Sequence, residues 1–161
     1  MRITSKSIIL AIILLFSLCD TAPAQQRGFG TGMILGEPTG ISIKNWIGYS
    51  KAIDFAIAWS FEGNNSLTIH ADYLNHNFKL IHVEKGSLPL FYGIGGRVRF
   101  NDHNGKDNDD IRFGVRVPVG LAYLFENVTL DLFTEIVPIL DLVPETDFKL
   151  NAAVGIRFFF K

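Results

Sequence analysis

Residues 52–62, AIDFAIAWSFE, decide the fold. Every second position of the run, Ile53, Phe55, Ile57, Trp59 and Phe61, is large and apolar, whereas Ala52, Asp54, Ala56, Ala58 and Ser60 are small or charged. A repeat of two belongs to an extended strand whose two faces meet different surroundings. The end of the chain repeats the contrast, with Phe148, Leu150, Ala152, Val154, Ile156, Phe158 and Phe160 alternating with Lys149, Asn151, Ala153, Gly155, Arg157 and Phe159.

Between these runs the same pattern returns, punctuated by turn residues. Residues 28–36 (GFGTGMILG) form a strand whose second face is mostly glycine, and 37–40 (EPTG) a tight turn. Strands follow at 41–48, at 52–62 and, after the hairpin signal Gly63-Asn64-Asn65, at 67–74; a bulge or irregular end is expected at Asn75-His76-Asn77. The fifth strand spans 88–100 and the sixth starts at Ile111, with a bulge expected at Pro118, which cannot donate to a ladder. Val128, Leu130 and Leu132 open the seventh, and residues 138–147 connect it to the eighth.

At 161 residues the chain has room for one domain, and a net charge of −1 without a basic cluster argues against a nucleic-acid partner. Charged residues make up 19%, which is low for a small soluble domain. Arg2 and Lys6, the apolar run at 8–18 (IILAIILLFSL) and Ala22-Pro23-Ala24 describe a cleaved signal peptide over residues 1–24, leaving a barrel domain at 25–161. The apolar run is shorter than the roughly 17–25 residues a spanning helix needs. Leu18 before Cys19 speaks against lipidation, so the single cysteine leaves with the leader.

Eight strands of about ten residues match a tilted bilayer crossing and the smallest usual closed barrel. The expected fold is therefore all-β, an eight-stranded antiparallel up-and-down transmembrane β-barrel. An even strand count puts both termini on one side; if that side is periplasmic, the polar loop at 101–110 (NDHNGKDNDD) faces outward.

Alternation does not say which face looks inward, but size and charge do. An eight-stranded lumen is only wide enough to be filled by side chains. The face rich in Gly and Ala suits that interior, and the Phe, Trp, Ile, Leu and Val face suits lipid. Lys44, Asp54, Asp72, Arg97, Arg99, Arg112, Arg116, Asp131, Glu135 and Arg157 all fall on the small-residue face. An arginine turned to the bilayer midplane costs about 2–4 kcal/mol, whereas inside the barrel it can pair with a carboxylate. A charged, plugged lumen follows, without an open pore. Trp46, Phe91, Phe133 and Phe159 share the inner parity as lumen fillers or as register irregularities. Trp59, Phe61, Phe100 and Phe148 fit a girdle at one rim, and Tyr49, Tyr123, Phe125, Phe158 and Phe160 at the other.

The segments GEPTGISIKNW, AIDFAIAWSF, HADYLNH, FYGIGGR, GVRVPVGLAYLF, DLFTEIVPILDL and AAVGIRFFF resemble a family of small, uncharacterised bacterial outer-membrane β-barrel proteins. The resemblance covers nearly all of the mature chain. It implies an OmpA-like eight-stranded barrel without a periplasmic domain, and it brings no catalytic residues.

Three constellations remain. His70 and Asp72 lie two apart on the inner face, a spacing open to a base dyad. The chain lacks the His-x-Ser arrangement of the lipid A deacylases that use similar barrels, so His70 is expected to be a polar member of the lumen network. Asp102, Asp107, Asp109 and Asp110 could gather a divalent cation, but their spacing is not that of an EF-hand; a solvated loop, bridged through cations to lipopolysaccharide phosphates, is the better account. The GFGTG stretch opens no helix and is not a phosphate cradle.

The expected protein is thus an exported, monomeric outer-membrane barrel in structural or surface-interaction service. It is not an enzyme, has no metal and no cofactor, and has outer-membrane lipid, lipopolysaccharide and the barrel assembly machinery as its partners. The rivals are a secreted soluble barrel holding an apolar ligand, with Phe55, Trp59 and Val115 inside, and a lipid-modifying enzyme built on His70 and Asp72.

Overall fold

A computed structural model describes residues 28–60, 66–101 and 111–160, with the side chain of Asn101 left aside. The expected signal peptide, Phe61, the turn at 63–65, the acidic loop at 102–110 and Lys161 lie outside these residues. All regular structure among the described residues is strand: β1 Gly28–Gly36, β2 Thr39–Trp46, β3 Lys51–Ser60, β4 Ser66–Asn77, β5 Leu90–Asn101, β6 Ile111–Arg116, β7 Val119–Leu124, β8 Leu130–Val143 and β9 Asp147–Phe160.

Sequence neighbours pair antiparallel from β1 through β6 and again from β7 through β9, and β1 closes the ring onto β9 through Phe29↔Phe160 to Gly36↔Ala153. β6 and β7 share one position in the wall, both running between β5 and β8. The nine strands therefore make eight staves. The break at Val117-Pro118 has a simple cause. Gly93 N–H donates to the Pro118 carbonyl at 2.9 Å and Val117 N–H to the Pro138 carbonyl at 3.0 Å. Neither proline has an N–H to return the bond, so both ladders are half-made at this level.

The register passes Pro118 unshifted, with Gly95↔Arg116 followed by Tyr92↔Val119. The bulge expected there lies instead opposite Phe113 and Gly114, whose partners are Val143 and Asp141. Leu142 is the extra residue, and both Leu142 and Val143 point outward. Two further expectations are corrected. β4 continues in register through His76 to Asn77, and most of the supposed connection at 138–147 belongs to β8 and β9.

The β1–β2 turn is closed between Gly36 and Thr39. Gly36 has φ 135°, where a side chain would be strained, and the Thr39 hydroxyl donates to the Gly36 carbonyl at 2.9 Å.

Burial is inverted relative to a soluble domain. Met33, Leu150, Phe148, Ile94 and Ile136 are more than half exposed, while Lys44, Asp131 and Asp141 have 0% exposure. Trp59 and Val115 are exposed on the outer wall, not inside as a soluble ligand-binding barrel would have them. Trp46, Phe91, Phe133 and Phe159 are buried lumen fillers. The reason they fit is positional: Phe91 lies opposite Gly120, Phe133 opposite Gly155, and Phe159 opposite Gly30. A Cβ at Gly120 would come within 2.5 Å of Phe91 Cζ, and at Gly30 within 2.6 Å of Phe159 Cε1. Each ring therefore occupies the space its cross-strand glycine leaves.

Candidate functional site

The one concentration of chemistry among the described residues is the lumen. Period-two alternation aims Lys44 from β2, Asp54 from β3, Asp72 from β4, Arg97 from β5, Arg116 from β6, Asp131 and Glu135 from β8 and Arg157 from β9 at the axis, and all eight are buried. They resolve into three groups.

Near the termini, Lys44 Nζ donates to His76 Nε2 at 2.9 Å. The other ring nitrogen, Nδ1, lies 3.2 Å from the Ser50 carbonyl and must carry the proton, because a carbonyl only accepts. The ammonium is also 3.7 Å from Asp131 Oδ2 and 4.5 Å from the Trp46 ring centroid. Trp46, His76, Phe78 and Phe91 pack ring to ring there and close that end.

In the middle, Arg157 pairs with Asp54 through Nη2, and its Nε donates to Ser42 Oγ at 2.8 Å. Ser42 in turn donates to Asp54 Oδ1 at 3.2 Å. The guanidinium lies 3.7 Å above the Phe133 ring, whose face attracts the cation. Arg116 Nε sits 3.0 Å from Asp72 Oδ1, and its Nη2 donates to Glu135 Oε1 at 3.3 Å.

Toward the opposite mouth, Arg97 grips Asp141 as a fork, with Nε to Oδ1 at 3.0 Å and Nη2 to Oδ2 at 2.8 Å. Two-point geometry of this kind is the strongest form of the pair. Asp141 is the residue the sequence reading missed, because Pro138 suggested that the strand had ended. Carrying the alternation of Asp131, Phe133 and Glu135 onward through Val137 and Ile139 lands on it. His76 escaped for the same reason, at the end of the β4 alternation.

All three buried arginines reach across a glycine. Arg97, Gly114 and Asp141 are consecutive across β5, β6 and β8; Arg116, Gly95 and Asp72 across β6, β5 and β4; Arg157, Gly32 and Ser42 across β9, β1 and β2. A Cβ on Gly114 would lie 2.5 Å from Asp141 Oδ1, and one on Gly95 would collide with Asp72 Oδ1. The missing side chain is the gap through which the ion pair closes.

The remaining residues stand differently. Arg99 and Arg112 face each other in register near the mouth opposite the termini and are only half-buried. Among the described residues Arg112 enters no ion pair and its buried Nε has no hydrogen-bond partner. His70 Nε2 is 4.0 Å from Asp72 Oδ2, too far for a hydrogen bond, and His70 Nδ1 has no partner among the described residues. His70 thus lies buried among the lumen charges, beside Asp72 but without a hydrogen bond to it.

A lumen built this way can hold charge in fixed pairs. The described residues contain no group of three or more His, Cys, Asp or Glu arranged for a metal ion.

In fold the chain is similar to the crystal structure of the N-terminal β-barrel domain of Pseudomonas aeruginosa OprF, with a TM-score of 0.63 and 14% identity over 84% of this chain and 98% of that one. No curated protein sequence matches it. The model of the family described as "Protein of unknown function (DUF3996)" matches residues 22–160, and the chain belongs to that family.

Proposed function

We propose that the protein is an outer-membrane β-barrel with a plugged lumen, serving a structural or surface-interaction role and acting neither as an enzyme nor as an open pore. The observation that carries this reading is the inverted burial, with large apolar side chains on the outer wall and paired charges inside. Water would penalise that exterior, and acyl chains would not. Export through a cleaved leader, insertion by the barrel assembly machinery and contact with outer-membrane lipid and lipopolysaccharide complete the proposal. Ion pairs and rings near the termini, in the middle and at the Arg97–Asp141 fork argue against steady ion flow.

Membrane fractionation with gel mobility of boiled and unboiled samples tests it. The protein should partition with the outer membrane and run differently before and after boiling. A mature chain that stays soluble without detergent would overturn the membrane reading, and stable conductance steps in a planar bilayer would overturn the plug.

A further inference from the structure

We propose that the outer wall over β1, β9, β8 and β7 carries a seat for one phospholipid, with an acyl chain laid over Thr134 and the headgroup at Lys85. The inference rests on the outer-membrane reading above and adds to it a specific lipid site.

Outward positions of these strands fall into two registered rows. One runs Leu121↔Thr134↔Val154 and the other, nearer the termini, Tyr123↔Leu132↔Ile156, and both continue onto β1, at Leu35 and Met33. Thr134 is the shortest side chain in either row, and its hydroxyl is turned back to donate to the Ala153 carbonyl at 3.4 Å. Between the rows lies Gly155, which offers backbone only. These rows border a depression of about 520 Å³ on the outer wall, with Thr134 and Gly155 in its lining.

Apolarity alone gives a lipid no reason to stay there, since its tails are as apolar as leucine wherever they lie. Shape supplies the preference. A gap in the wall forfeits dispersion contacts, and a flexible chain laid into it regains them. Rows two residues apart on a strand are separated by about 7 Å, which suits a single methylene chain. A second barrel would present a convex wall, which cannot follow the groove inward.

The register also gives the groove a direction. Followed once around the ring, the pairs lead from Asp131 through Arg157, Gly32, Ser42, Ala56, His70, Arg97 and Gly114 to Asp141, which lies further along β8 and away from the termini. Each row therefore descends toward the termini as it passes from β1 through β9 and β8 to β7. Its low end is at Tyr123 and Leu88, both of which line the depression. There the Tyr123 hydroxyl donates to the Lys85 carbonyl at 3.0 Å, and Ser87 and Leu124 exchange backbone hydrogen bonds at 2.9 and 2.8 Å. The groove thus ends at a segment fixed to the wall, with a tyrosine of the kind found at membrane interfaces. Glu84 and Lys85 are both exposed on that segment, so the rim offers both signs of charge to a headgroup made of phosphate and ammonium.

Native mass spectrometry of the refolded barrel in a nonionic detergent, titrated with dipalmitoyl phosphatidylethanolamine, counts the lipids bound. One lipid should saturate before others add. Thr134→Phe and Thr134→Leu, which fill the depression, should abolish that first step, whereas Ile53→Phe, on β3 across the ring, should leave it unchanged. Lys85→Gln should weaken it about fivefold, as loss of one lysine at a lipid surface does, without changing the binding of dipalmitoylglycerol. Gradual uptake without a saturable first step, or a first step equal in Thr134→Phe and the unaltered chain, overturns the site. A dimer that Thr134→Phe disrupts overturns it in favour of a second copy, and a first step indifferent to Lys85→Gln overturns the headgroup assignment. The boiled and unboiled gel shift and membrane fractionation read the outer-membrane placement separately, so a missing lipid step in a protein that passes both counts against the site alone.

Discussion

Arg116 and Asp72, on strands separated by β5, come within 3.0 Å of each other directly over Gly95. The same construction, an acceptor and an arginine straddling a glycine, recurs at Gly114 and Gly32. It reconciles two demands on a narrow lumen, small residues for space and long charged ones for pairing. Gly95→Ala would set a methyl against Asp72 Oδ1 and the Ala71 carbonyl. Overpacking of this kind should cost about 1–3 kcal/mol, read as a lower urea midpoint for unfolding from lipid vesicles. An unchanged midpoint would show that the glycine is not needed for the pair.

The Arg97–Asp141 fork should show the asymmetry of buried ion pairs. Asp141→Ala leaves a buried guanidinium without its counter-ion and should destabilise by about 3–5 kcal/mol. The double variant Arg97→Met, Asp141→Leu removes both charges and should recover most of that loss. A double-mutant cycle on vesicle-embedded protein measures the difference.

Ile136 is 55% exposed in the middle of β8. If that wall faces acyl chains, Ile136→Arg should cost about 2–4 kcal/mol in a bilayer. Ile136→Leu should be nearly neutral. Equal effects of the two substitutions would argue that the wall is wet.

Phe133 fills the space over Gly155 and supports Arg157 from 3.7 Å. Phe133→Ala should cost about 3–5 kcal/mol, as buried aromatic truncations do, with an added loss from the cation's aromatic partner. Thermal mobility shift on gels, a lower temperature for the change from folded to unfolded band, reads it directly.

His70 stands 4.0 Å from Asp72, and among the described residues no hydroxyl is hydrogen-bonded to its Nδ1. His70→Ala should leave the lipid profile of the cell envelope and growth as they are. A changed acylation pattern would instead favour the lipid-modifying alternative.

How much of this was legible in the residue order can be read from particular positions. Alternation in β3 assigned Asp54 inward and Trp59 outward correctly, because the strand period of two is a local property of the backbone. The same rule assigned the inward arginines and ring fillers. Pro118 and Pro138 misled it: a proline removes one ladder bond, yet both staves run on because the carbonyls of these residues still accept from Gly93 and Val117. Asp141 and His76 were lost to early strand ends for that reason and for a supposed irregularity at 75–77.

What sequence by itself determined is therefore the strand character of the chain and the face each side chain takes, since both follow from steric preferences within a few residues. Which arginine meets which carboxylate was decided by tertiary structure: it depends on register between strands as far apart in sequence as Ser42 and Arg157, and on a bulge at Leu142 that no local pattern announces. Glycine placement ties the two levels together, for a residue that looks merely small along its own strand becomes, across the sheet, the opening through which two charges touch.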